Sequence, residues 1–304
     1  MGRGGLSMSV GLLLKAFVAR RTGLAPGATI PRIELRREGV RVDPAVLARY
    51  RRMCGFADGA DLPMTFPQML AGELHIGLLA DARFPLPVAG IVHFENRIEQ
   101  LAPLPADATY DLTAWVEGHR EAPSRSANVL FDIETRLSRA GREVWSATTT
   151  VLSRTPDAKR GPKGPKTPKA PKAERPAGQG LDTAPLRTAM FRLPADLGRR
   201  YSALAGDYNP IHLSALTARP FGFKRAIIHG MWSLARCLGE AADDLPPTPR
   251  TCTVRFERPV FLPGRVHLVV TPSAAPDARP GDVDFALTSP DLRTRHFAGS
   301  VRGV

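Results

Sequence analysis

The chain has 304 residues, 43% of them hydrophobic and 23% charged, with a formal net charge of +13. This composition is too apolar for wholesale disorder, and the length is enough for one large core or two of ordinary size, since domains commonly run to roughly 100–200 residues. No stretch approaches the roughly 18 uninterrupted apolar residues of a membrane span, so an integral membrane protein is not expected.

Near the start, Val10, Leu13, Leu14, Phe17 and Val18 stand at helical spacing, which predicts a short amphipathic helix. Lys15 interrupts the apolar run and Arg20 and Arg21 follow it without a convincing cleavage site, which argues against secretion. The first acidic residue is Glu34, so an organellar transit peptide is the alternative reading of this basic stretch. The three cysteines, Cys54, Cys237 and Cys252, lie far apart with no metal-ligand spacing. They read as small core residues in a reducing, cytoplasmic setting, with no metal or cofactor expected.

In the first half, helices are predicted at Pro44–Met53 and around Met69–Ala80. Strands follow at Val88–Ile98, Tyr110–Glu117, Asn128–Leu137 and Glu143–Leu152. Between Arg154 and Gly180, eight basic residues stand against two acidic ones, a net +6. The core of this tract, Gly161–Pro176, alternates Pro and Lys with little apolar content, as an extended linker does. Its prolines lack the N–H groups of a phosphate loop, and no Gly-Lys-Ser/Thr ending is present. With almost half of the charge excess confined here, the remainder is only moderately basic. That suits an acidic carrier or a phosphorylated substrate as well as nucleic acid, and no nucleic-acid partner is expected.

In the second half, helices are predicted at Pro194–Leu204 and Ala226–Glu240, then strands at Cys252–Phe256, Val266–Thr271, Val283–Thr288 and Arg295–Val301. Each half thus reads as helix, helix, antiparallel meander. Tyr50, Gly55 and Phe56 are answered by Tyr201, Gly206 and Asp207, and Val92, Phe94 and Glu95 by Val254, Phe256 and Glu257. The expectation is a duplicated α+β unit: two antiparallel sheets, each with a central helix packed on one face. Its domains are residues 1–153, a linker at 154–182, and residues 183–304.

The stretch Gly206-Asp207-Tyr208-Asn209-Pro210-Ile211-His212 brings a carboxylate and an imidazole to one turn. Pro210 forbids helical continuation, so the chain bends between them, and Gly206 leaves room for close backbone approach. Such a pair can move protons. Taken alone, Asp-x-Asn-Pro is an ordinary turn and a lone histidine an ordinary structural residue. What weighs against that is the next segment, Ile228-His229-Gly230-Met231, which opens a helix whose first N–H groups are unpaired.

Together these residues resemble the R-specific enoyl-CoA hydratase, or MaoC-like dehydratase, family. Tyr201, Gly206, Asp207, Asn209, Pro210, Ile211 and His212 match its signature, and Ala215 and Ala218 are small as expected. Ala205 departs from it, standing where Ser or Thr is usual. Ile228-His229-Gly230-Met231 matches the second element, and Arg255-Phe256-Glu257-Arg258-Pro259-Val260 resembles the strand beyond it. The resemblance implies a double hot-dog fold and reversible hydration of 2-enoyl thioesters to (3R)-3-hydroxyacyl thioesters, carried on CoA or acyl carrier protein, in fatty acid metabolism. It implies that Asp207 and His212 are the acid/base pair and that the Gly230 N–H is the oxyanion donor. Tyr201, Gly206, Asn209, His229 and Met231 are then supporting or substrate-binding, with His229 in a packing or capping role. The chain is expected to be a monomeric pseudo-dimer or a homodimer.

The first half resembles the degenerate repeat of two-domain members. Phe56 stands where Asp207 does and Asp61 falls, by simple offset, at His212, so the pair is missing there. Met69, Leu70, Leu74, Ile76, Leu78 and Leu79 are the candidates for an acyl pocket in that half, although any core helix contains such residues. The rival readings are a hot-dog acyl-thioesterase and a non-catalytic thioester- or nucleic-acid-binding protein.

Overall fold

The computed structural model describes residues 11, 21, 23–88, 91–122, 128–153 and 184–304. The expected N-terminal helix, apart from Gly11, and the whole of the expected linker lie outside the described residues. Among the described residues no helix is long and apolar enough to cross a membrane.

The first half runs β1 (Ile33–Arg41), α1 (Pro44–Cys54), α2 (Phe66–Leu70), α3 (Gly72–Ala80), β2 (Val92–Gln100), β3 (Thr109–Val116), β4 (Arg120–Glu121), β5 (Val129–Arg139) and β6 (Arg142–Ser153). The second runs β7 (Arg187–Leu193), α4 (Leu197–Ala205), α5 (Ala215–Ala218), α6 (Gly230–Glu240), β8 (Arg250–Phe256), β9 (Gly264–Pro272), β10 (Val283–Thr288) and β11 (Arg295–Gly303).

The two expected sheets join edge to edge into one continuous sheet. Its 11 strands follow the order β1-β3-β5-β6-β2-β8-β11-β10-β9-β7, with β4 paired to β5 off this path. Read inward from either edge, the two halves place their strands in the same order. At the centre β2 and β8 pair antiparallel, from Glu95 opposite Arg255 to Gln100 opposite Arg250. The simple meander is therefore corrected: β2 lies beside β6 and not beside β3, because its other edge makes the seam between the halves.

Sequence periodicity misses the strand that leads each half. β1 reads IELRREGVR with only Ile33 and Val40 buried, and its register slips between Arg37 and Val40. β7, at the opposite edge, buries only Phe191 and Leu193. Edge strands of this kind lack the alternation that marks a strand with one buried face.

α1 and α4 end alike. Gly55 and Gly206 cap them in the left-handed region, at φ 77° and 75°. That geometry, which glycine adopts without steric cost, reverses the chain after each helix and is the reason for the repeated Tyr-x4-Gly spacing. Tyr50 and Tyr201 both point into the core, 1% and 3% exposed. A single buried cluster runs through both halves. α1 packs its C-terminal end on α6, where Trp232 Nε1–H donates to Met53 O at 3.2 Å. A side chain at Gly239 would collide with Cys54 O at 2.5 Å.

Candidate functional site

Asp207 and His212 sit on the connection leaving α4. Asn209 N–H donates to Asp207 Oδ1 at 3.1 Å, and Asn209 Oδ1 accepts from Ile211 N–H at 3.3 Å, capping the 3₁₀ turn Pro210–His212. These Asx bonds close the turn that Pro210 begins, so the carboxylate and the imidazole face one volume. Gly206 serves this geometry through its left-handed conformation, at φ 75°. A close backbone approach is made at Gly198 in the first turn of α4, where an added Cβ would lie 2.1 Å from His212 O.

His212 is 8% exposed. Its Nδ1–H donates to Ile227 O at 2.8 Å, which leaves Nε2 as the ring's lone-pair nitrogen. Ile227 can offer that carbonyl because Ala226–His229 is extended and not helical as expected. Ile228 N–H donates to Val260 O and Leu262 N–H to Ala226 O, holding the segment to the chain beyond β8. The central helix accordingly begins at Gly230, with His229 at its N-cap.

His229 makes no side-chain cap bond. Its Nε2–H donates to Asp207 O at 3.1 Å and lies 3.7 Å from Asp207 Oδ2, with Ser202 Oγ 3.5 Å away. Its ring stacks on His212 and packs at 4.9 Å from Tyr201. His229 is thus neither capping nor merely packing.

Burial alone would raise the Asp207 carboxyl, but His229, His212 and the Asn209 N–H outweigh it and hold the group below its ordinary value. Burial pushes His212 down despite Asp207, and pushes His229 to about 3, with His212 adding to the effect. At neutral pH the site therefore rests as one carboxylate and two neutral imidazoles. Asp207, His212 and His229 offer ligand atoms within 4.8 Å of one another, the group of that kind found among the described residues. His212 Nδ1–H and His229 Nε2–H donate to carbonyls, which leaves His212 Nε2 and His229 Nδ1 as the lone-pair nitrogens of the two rings.

The three residues open on a cavity of about 470 Å³ lined by both halves. From the second half come Tyr201, Asn209, Gly230, Met231 and the Phe256–Val260 stretch. Gly230 stands at the N-terminus of α6, where N–H groups lack intrahelical acceptors and carry partial positive charge. From the first half, Met69, Ile76 and Leu79 reach the cavity, but Leu70, Leu74 and Leu78 do not. Leu74 and Leu78 point into the core, 8% and 0% exposed, because residues four apart share one face of α3, while His75, Ile76 and Leu79 share the face toward the cavity.

Phe56, at the place of Asp207, stacks on Tyr50 with ring centroids 6.2 Å apart. Asp61 is exposed and contributes only its backbone, accepting from Arg51 Nη2. Neither reaches the cavity. His93 of β2 does, and it interacts electrostatically with Asp207. It was missed because a histidine on a central strand carries no motif.

A MaoC-like domain model matches residues 172–282. The 3-hydroxyacyl-thioester dehydratase X of Mycobacterium tuberculosis is 30% identical over 287 residues, 94% of this chain and 93% of that protein. The crystal structure of HtdX from Mycobacterium tuberculosis superposes with a TM-score of 0.72 at 28% identity, over 90% of this chain and all of the other. A 12:0-ACP thioesterase from Umbellularia californica shares the fold, at TM-score 0.52 and 11% identity over 88% of this chain and 96% of the other. With a relative this similar across nearly the full length of both chains, the chain belongs to the MaoC-like dehydratase family.

Proposed function

We propose that this chain is a hydro-lyase that reversibly dehydrates 3-hydroxyacyl thioesters to 2-enoyl thioesters, with Asp207 and His212 as its acid/base pair. The observation that carries the reading is the fixed tautomer of His212. With Nδ1–H held by Ile227 O, His212 keeps a neutral Nε2, and a ring nitrogen lies within 4.8 Å of an Asp207 carboxylate oxygen, in the cavity that Gly230 at the N-terminus of α6 also lines.

In the dehydration direction His212 Nε2 takes a proton from C2, and the enolate-like oxygen is stabilised by the Gly230 N–H. Asp207 rests ionised and so cannot begin as a donor. The proton taken from C2 is shared within the imidazolium–carboxylate pair and delivered to the C3 hydroxyl, which leaves as water. Both groups then return to their starting ionisation, and hydration is the reverse. The 3R configuration and a phosphopantetheine carrier, CoA or acyl carrier protein, complete the reading by family resemblance.

The same reading takes residues 1–153 and 183–304 as two hot-dog domains joined by the basic linker at 154–182, one chain forming one pseudo-dimer with a single working site. The test follows absorbance of a 2-enoyl-CoA and determines the configuration of the hydrated product. Release of free CoA thiol in place of hydration identifies a thioesterase and overturns the assignment.

A further inference from the structure

The first half has lost its acid/base pair, yet its share of the cavity is not simply an apolar wall. Gln68 and Thr149, 7% and 6% exposed, line the cavity together with His75 and His93. Gln68 Nε2 donates to Thr149 Oγ1 at 2.7 Å, and Asn96 Nδ2 donates to the same oxygen at 3.0 Å and to His93 Nε2 at 3.4 Å. The carbonyl oxygens of Gln68 and Asn96 are buried without a partner.

Turning the amides does not repair this. The Thr149 hydroxyl has one proton to give. If one amide is turned to accept it, that amide's NH₂ loses its acceptor while the other carbonyl stays unpaired. Buried polar groups left half-satisfied destabilise a protein, and an apolar set of similar size would avoid the loss. The fold itself does not demand polarity here. The corresponding helix-facing surface of β8 and β11 is built from Cys252, Val254, Phe297 and Val301, all buried and apolar.

We infer that Gln68 and Thr149, with His93 beside them and Asn96 bonded to Thr149 from behind the cavity wall, form a polar subsite for a hydrogen-bonding group on the substrate, so that the preferred substrates are acyl thioesters bearing a hydroxyl or oxo group on the acyl chain in addition to the one at C3. The inference rests on the dehydratase reading and narrows its substrate class. The cluster lies toward Asp207 through His93, so the second polar group is bound in the same cavity as the reacting carbons. A plain saturated chain leaves the amides as they stand in the free protein, whereas a hydroxyl can donate to one unpaired carbonyl or, with that amide turned, accept from its NH₂.

The experiment measures kcat/KM for hydration of 2-enoyl-CoA substrates of equal length, one plain and the others carrying a hydroxyl moved stepwise from C4 to the end of the chain. At one position the hydroxylated substrate is expected to exceed the plain one by at least about tenfold, as a hydrogen bond completed to a buried group allows. In Gln68→Met and in Thr149→Val, with folding confirmed by circular dichroism, that ratio should fall toward one. A wild-type series with no preferred position overturns the inference, and so does a preference that survives both substitutions. Should neither variant fold, the wild-type series decides alone. Failure of the wild type to hydrate any member, plain or hydroxylated, overturns the dehydratase reading instead.

Discussion

The imidazoles of His212 and His229 lie face to face, with ring centroids 3.6 Å apart and planes 25° from parallel. Two rings so close cannot both carry charge. Burial, with His212 adding to it, pushes His229 down to about 3, so it is neutral near neutral pH, and its Nε2–H steadies the backbone that carries Asp207. In the proposed mechanism it acts through Asp207 and His212 as a positioning residue. His229→Leu should lower kcat by about 10²-fold, as small misplacements of reacting groups do. His229→Gln, which keeps an N–H donor, should recover part of the loss. Equal loss in both variants, with the fold intact, rejects the positioning role.

Asp207→Asn and His212→Ala should each cut the hydration rate by roughly 10²–10⁴-fold. Because the proposed mechanism has both groups handle one proton in one transition state, the double variant should be little worse than either single one. Asp61→Asn is the internal control: it is exposed and far from any acid/base partner at Phe56, and it should be nearly silent. A dead Asp61 variant beside working Asp207 and His212 variants would reverse the assignment of the working half.

Gly230 lies under the ring of Phe256, so a methyl there would come within 3.0 Å of it. Phe256 is itself held against His93 and Phe297, with centroids at 4.8 and 5.6 Å, and has little room to yield. Gly230→Ala should therefore displace the N-terminus of α6 and lower kcat by about 10²-fold or more, the scale of losing an oxyanion donor. Combining it with Phe256→Leu should restore part of the rate. No rescue, with both proteins folded, would mean that crowding is not the cause.

His212 must be neutral to accept a proton, and burial places it below its ordinary value near 6.5. The acid limb of kcat/KM should therefore fall below pH 6.5. Stability should fall over a related window. Burial pushes His75 and His93 to about 4 and His229 to about 3, so the unfolded chain binds more protons than the folded one between those values and about 6.5. Their stabilising effect is complete above that upper limit and is lost as pH falls toward 4, with a slope of up to about 1.4 kcal/mol per pH unit for each ring. Urea midpoints between pH 7 and 4 measure it. His75→Gln should flatten the curve, and an unchanged curve would place His75 outside the effect.

The motif carried the second half of the site because its chemistry is local. Asp207, Asn209, Pro210 and His212 form one turn through bonds that span two or three residues. What stayed hidden depends on contacts distant in sequence. Gly198 shows no motif, and only the packing of α4 against His212 O makes a side chain there impossible. The extended start of Ile227–His229 is imposed by pairing with Val260–Leu262, which overrides helical periodicity. The seam strand β2 looks like any amphipathic strand until its second edge finds β8. Gln68, Asn96 and Thr149 come from two strands and a helix of the half that motif reading treats as idle.

In a homodimer of single hot-dog units, every substitution is made twice and is felt at both sites. Fusing two copies across the β2–β8 seam ends that double dosage. A change that would ruin the proton-transfer turn, such as Phe56 in place of an aspartate, becomes tolerable when it falls in one copy alone. The freed copy can then be reshaped toward ligand choice while the other keeps its chemistry fixed. Holding both copies in one chain is thus a device for evolving selectivity independently of catalysis.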